Sequence, residues 1–158
     1  FKIIKALEQF SIGNFIILPF DTQHDANEPL GFLIQYKPTG EKLLYATDTY
    51  YIKYRFTKVN YLLLECNYIK EIAKENVENG IINKSRYIRL LESHFSLDNL
   101  LKFLQANDLK EAKEIILCHL SNDNSNEQIM KNKVYEQTGV STTIARPGLN
   151  IELKLYPF

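Results

Sequence analysis

Three histidines and one aspartate carry most of the chemistry available to this sequence. His24 stands in Asp21-Thr22-Gln23-His24-Asp25-Ala26, Asp48 in Ala46-Thr47-Asp48-Thr49, and His119 in Cys118-His119-Leu120-Ser121. Each closes or follows a short apolar run that reads as a β-strand. Imidazole nitrogens and a carboxylate at neighbouring strand ends form a donor set for a divalent metal ion, and an Asp, with two oxygens, suits a position shared by two ions. Each has an ordinary alternative. A lone His after a strand is commonly a surface or satisfied core residue, and an Asp there commonly closes an Asx turn. His94, in Ser93-His94-Phe95-Ser96, is a further imidazole that could give or take a proton in catalysis. Its alternative is a local role beside Ser96.

The elements that would position these residues alternate along the chain. Apolar runs predict strands over residues 1–7, 15–20, 29–36, 42–46, 59–65 and 114–118. Lys37-Pro38-Thr39-Gly40-Glu41 has the chemistry of a hairpin turn. Ile69, Ile72, Ala73 and Val77 share a helical face over residues 67–79, and Gly80 is placed to stop that helix. Lys84, Arg86 and Arg89 sit on a further helix, where Arg86 and Arg89 could face one phosphate backbone or simply be solvated. Ser96 caps a helix carrying Leu97, Leu100, Leu101 and Leu104 on one side. Ser125-Asn126-Glu127-Gln128 opens another helix, running to about Thr138 and ended by Gly139. Short strands are predicted over residues 142–145 and 149–153. This order fits an α/β (α+β) class, a mixed sheet with helices on one face, as a single domain over residues 1–158.

Composition narrows the classes. The 158 residues are 45% hydrophobic and 24% charged, ordinary values for a globular protein. No apolar run approaches a membrane span and no signal-peptide pattern is present, so the expectation is a cytoplasmic protein with no membrane partner. The 19 basic and 19 acidic side chains cancel, so any polyanion must be held by a local patch or by metal. Cys66 and Cys118 lie in runs that read as buried strands and fit reduced core thiols. Adjacent strand side chains point to opposite faces, which argues against Cys118 joining His119 on one ion. Tyr50, Tyr51 and Tyr54, beside Lys53 and Arg55, could stack on bases.

Taken in order, His24-Asp25-Ala26 with Pro29-Leu30-Gly31-Phe32, Ala46-Thr47-Asp48-Thr49, Glu65-Cys66-Asn67-Tyr68 and His119-Leu120-Ser121 resemble the metallo-β-lactamase fold. The likeness is to its phosphodiesterase and nuclease branch in low-GC Gram-positive bacteria and their phages, and it runs from about Phe15 to Gly148. It implies the second, C-terminal half of a four-layer αββα fold. His24, Asp48 and His119 would be metal ligands, with Asp48 shared. Glu65, Asn67 and Ser121 would orient the metal loops by hydrogen bonds. Asp48 and His94 would serve catalysis, His94 against the substrate phosphate, with Arg86 and Arg89 as further phosphate contacts. The complete enzyme would hold two divalent ions, zinc or manganese, and hydrolyse phosphodiester bonds, with nucleic acid as the substrate.

Two features depart from that pattern. No His-x-His-x-Asp-His occurs, and Tyr50 stands where the family usually has a Gly. The chain also begins at Phe1, so the expectation is a metallohydrolase seen from its middle onward. Such a chain lacks half its ligands and should bind metal weakly and catalyse little by itself. Its inner sheet face should be exposed and should pair with the missing N-terminal half or with another copy. The competing expectations are a non-catalytic half kept as a binding or structural module, and a thioester or lactone hydrolase.

Overall fold

The structure is a computed structural model and describes residues 3–153. Seven strands form one sheet in chain order. β1 (Phe10–Ile12), β2 (Phe15–Asp21), β3 (Leu30–Tyr36) and β4 (Lys42–Ala46) make an antiparallel meander. β5 (Tyr61–Glu65), β6 (Glu114–Cys118) and β7 (Ser141–Ile144) extend it in parallel with β4. Helices α1 (Lys70–Glu78), α2 (Lys84–Ser93) and α3 (Leu97–Gln105) lie between β5 and β6, and α4 (Glu127–Thr138) between β6 and β7. The sheet is mixed, as the alternation of patterns requires. One parallel connection is unusual: between β4 and β5 the chain crosses as a loop, residues 47–60, without a helix.

Local chemistry explains the element ends. The side chains of Asn83, Ser96 and Asn126 accept hydrogen bonds from Arg86 N, Asn99 N and Ile129 N, capping α2, α3 and α4. Gly139 ends α4 with φ 68°, a conformation glycine adopts without a Cβ penalty. The α4 cap is therefore Asn126, one residue after the expected start at Ser125.

Two expected strands differ. Residues 1 and 2 of the first lie outside the described residues, and residues 3–7 are not strand. Leu7 takes φ 65°, which breaks an extended run. The pairing falls instead to Phe10–Ile12, which the two-residue Gly13-Asn14 loop folds back with Ile12 opposite Phe15. The last expected strand, 149–153, is also absent. Pro147 and Gly148 turn the chain, with Leu149 N donating to Arg146 O, and carry it off the sheet.

The register sorts side chains onto two faces. Leu33, Leu44, Leu62 and Ile115 form one row, and Ala46, Leu64 and Leu117 another, on the face packed against Leu100, Phe103 and Leu104 of α3 and Met130 and Val134 of α4. The opposite face carries Ile17, Ile34, Leu43 and Tyr61 in one row and Pro19, Phe32, Tyr45, Leu63 and Ile116 in the next. Those rows are as apolar as the core, yet most of their members are only half-buried. No helix among the described residues is long and apolar enough to cross a membrane.

Gly31 shows how tightly the helical face is filled. A Cβ built there would meet the Phe20 ring, 2.5 Å from Cε2, and stand 3.0 Å from the Tyr45 carbonyl oxygen. Phe20 is itself locked against Tyr54 and Phe56 and cannot yield cheaply. Gly31→Ala should therefore destabilise by about 1–3 kcal/mol. Urea unfolding checks this, and an unchanged midpoint would show that Phe20 can move aside.

Candidate metal centre

The sheet brings the chemistry to one edge. β4, β5 and β6 are parallel, and β2 runs in the same direction because two antiparallel pairings separate it from β4. Asp48, Glu65 and His119 therefore emerge together at the carboxyl ends of β4, β5 and β6, and His24 follows β2 onto the same edge. Crevices outside the carboxyl ends of strands are where open α/β sheets bind ligands. His94 arrives from the other layer, as the residue that ends α2.

Glu65 organises the group. Its side chain is 0% exposed, and Oε1 accepts hydrogen bonds from His94 Nδ1 at 2.7 Å and His119 Nδ1 at 2.8 Å. Oε2 accepts from the Thr49 backbone N–H at 2.9 Å. Burial alone would push the Glu65 carboxyl up. The hydrogen bonds from His119, His94 and Thr49 outweigh it and hold the group below the usual carboxylate range. The same contact with Glu65 raises the His119 pKa against the opposing effect of burial, and the Asp48 charge adds to it.

These bonds decide which ring nitrogens carry the proton. Both His94 and His119 give Nδ1–H to Glu65, and His24 gives Nδ1–H to the Ser93 carbonyl at 3.0 Å. Every Nε2 is thus left for other partners. That of His24 stands 3.1 Å from Asp25 and 3.9 Å from Asp48. Asp48, His94 and His119 each offer a ligand atom within 4.8 Å of the other two. Their ring contacts form a chain, His24 to His94 at 5.4 Å and His94 to His119 at 5.2 Å. Ligand histidines whose second ring N–H is held by a carboxylate are the usual arrangement around a metal ion, so this donor set fits one. Asp48 and His119 are both left-handed, with φ 51° and 55°, a conformation that costs non-glycine residues energy and clusters at functional sites.

The remaining expected residues divide. Asn67 Nδ2 donates to the His119 carbonyl at 2.7 Å, fixing that loop. Ser121 accepts from Asn124 N and Nδ2 and shapes the turn before α4 without touching the group. Arg86 and Arg89 line one depression with His94 and His119, but each is paired with an acid, Asp123 at 3.3 Å and Asp25 at 2.9 Å. Cys118 lies opposite Glu65 in the sheet but is not one of the three clustered donors, and burial pushes its thiol up to about 12. His94, expected against substrate, stands inside the potential ligand group.

Thr49 was legible only as part of a motif. It is fully buried, and its hydroxyl accepts from Gln23 N at 3.0 Å and donates to Tyr51 O at 2.8 Å. It thus ties the His24 loop to the Asp48 loop. A threonine flanking the aspartate was the available signal.

A parallel and antiparallel sheet with helices on one face and the site on its carboxyl edge is half of a metallo-β-lactamase fold. The solved structure of the metallo-β-lactamase fold protein YhfI from Bacillus subtilis overlays with TM-score 0.63 at 16% identity, over 92% of this chain and 53% of YhfI. CmlA from Streptomyces venezuelae, a diiron β-hydroxylase, overlays with TM-score 0.56 at 14% identity, over 87% of this chain and 32% of CmlA. The chain thus spans about half of the one and a third of the other. No protein-family model and no curated protein matches the sequence.

Glu65→Gln tests the organising role. The amide cannot accept from both imidazoles and Thr49 N at once, which leaves a buried group unmatched at a cost of about 1–3 kcal/mol. Unfolding of the metal-free variant should show that loss. Unchanged stability would mean the histidines are held by packing alone.

Proposed function

We propose that this chain is the second half of a metal-dependent hydrolase of phosphodiester bonds, with nucleic acid as its substrate class. The observation that carries the reading is the group of Asp48, His94 and His119, with Glu65 drawing both Nδ1 hydrogens inward. Three protein ligands match a catalytic site that keeps a position open. His24, whose Nε2 stands 3.9 Å from Asp48, would be a ligand of a second ion if one is held. A divalent ion there would supply Lewis acidity toward a phosphoryl oxygen. The chain's own residues orient and receive. Glu65 fixes two rings, Asn67 and Thr49 fix the loops, and Arg86 and Arg89 line the adjoining depression, where a phosphate could exchange with their acid partners. Zinc and manganese both suit the donors, and the iron of CmlA makes that metal a third to assay.

The His94 role here departs from the substrate contact that the sequence pattern implied. The two roles separate cleanly when metal content and turnover are measured on the same preparation of the enzyme with all its ligands. Asp48→Ala, His119→Ala and His94→Ala should each lose metal and activity together, read by elemental analysis and by hydrolysis of DNA and of a chromogenic phosphodiester. A His94→Ala enzyme that keeps its metal yet loses roughly 10²–10⁴-fold in turnover would return His94 to the substrate. Absence of any phosphodiester turnover in the loaded protein would refute the substrate class.

We further propose that the apolar sheet face is a packing surface, for the other half of the fold or for a second copy. Its rows match the hydrophobicity of the helix-covered face, and apolar patches of that kind mark interaction sites. The isolated chain should sediment as a dimer or larger. A monomer at high concentration would contradict this.

A further inference from the structure

On the loop that follows Asp48, residues 50–55 and α3 line an open cleft of about 380 Å³, within the size range of small-molecule sites. Tyr50, Tyr51, Tyr54 and Phe103 give it four rings, and Lys53, Arg55 and Lys102 give it three cations with no carboxylate among its lining residues. That excess occurs in a chain whose charges otherwise cancel. Lys53 is neutralised by Asp21 at 2.6 Å, while Arg55 and Lys102 have no ion-pair partner among the described residues. The rings are also open to solvent, Tyr50 by 38% and Tyr51 by 54%.

The backbone that presents them is nonetheless fixed. Tyr50 N donates to Gln23 O at 3.0 Å, and Tyr50 O accepts from Asn99 Nδ2 of α3 at 3.3 Å. Tyr51 is held at both its N–H and its carbonyl by the Thr49 hydroxyl. At the far end, Asn107 Oδ1 accepts from Phe56 N at 2.7 Å. Ile52 and Phe56 anchor the loop in the core while Tyr51, Lys53 and Arg55 alternate outward. Exposed rings on a clamped backbone are preorganised for a flat ligand, since little ordering remains to be done on binding. Tyr50 is two residues from Asp48, so their Cα atoms lie within about 7 Å.

We propose that this cavity is a nucleotide subsite, in which Tyr51 and Tyr50 stack on a base and Arg55 and Lys102 hold a phosphate. It rests on the phosphodiester reading for its place in a reaction, and names the unit next to the scissile bond as a nucleotide with an unpaired base. Aromatic platforms beside cations bind single strands with little sequence preference.

The test is fluorescence anisotropy of this chain with a labelled oligothymidylate, with an abasic oligomer of equal length, and with thymidine monophosphate as competitor, all in chelator. The base-bearing strand should bind about tenfold more tightly than the abasic one. Tyr51→Ala should abolish that difference and Tyr51→Phe should keep it. Arg55→Gln and Lys102→Gln should each lower the salt dependence by about one phosphate contact. Competition by the mononucleotide at strand-like affinity would support the subsite and identify a free nucleotide as its occupant. Equal binding of base-bearing and abasic strands, or no effect of Tyr51→Ala, would overturn it. Because metal and turnover are absent from this assay, base-dependent binding can survive even where hydrolysis by the loaded enzyme fails, and the reverse.

Discussion

The site depends on one buried carboxylate. Glu65 ends β5, an interior parallel strand, is sealed from solvent, and accepts from two imidazoles and a backbone N–H. A carboxylate in such a place is unfavourable unless fully matched, and the three donors match it. In return it settles the tautomer of both rings, leaving each Nε2 without the proton and free to act as a donor to a metal ion. The arrangement is preorganised by the sheet: β4, β5 and β6 hold Asp48, Glu65 and His119 at successive strand ends.

Around that carboxylate the polar contacts form a connected set. Thr49 links the loops of His24 and Asp48, Asn67 links those of β5 and His119, and His24 reaches Ser93 at the end of α2. Asp48 and His119 sit in left-handed backbone, which only a well-determined surrounding can sustain. The apolar core supplies that support, since the rows of Leu64 and Leu117 immediately precede the site on their strands and are fully buried against the helices.

Much of this was legible from the sequence, and the reasons differ by residue. The strand-end positions of Asp48 and His119 follow from apolar runs of strand length, and Ser96 and Gly139 announce helix ends by local chemistry alone. The parallel placement of β5 and β6, which makes neighbours of residues far apart in the chain, came from the wording of the motifs and not from periodicity. His94 was seen as a chemical candidate, but its meeting with Glu65 needs the α2–α3 turn, which no local pattern encodes. Residues 3–7 and 149–153 are not strands because apolar content alone does not secure an extended backbone: Leu7 is left-handed and gives only a single N–H to Pro19 O, and the Pro147-Gly148 turn leads the chain off the sheet.

The spread of the site along the chain has a kinetic meaning. The meander from β1 to β4 closes through short hairpins, whereas Glu65 to His119 and His24 to Ser93 join residues 54 and 69 positions apart. Contacts of that separation carry the larger loop-closure entropy and form late when topology sets the order. The meander can therefore assemble while the histidines are still scattered, and the ligand group exists only once α1 to α3 have docked and β6 has joined the sheet. An ion held by that group would select the finished fold over every earlier state, so the chemistry of the site and the completion of folding would be one event.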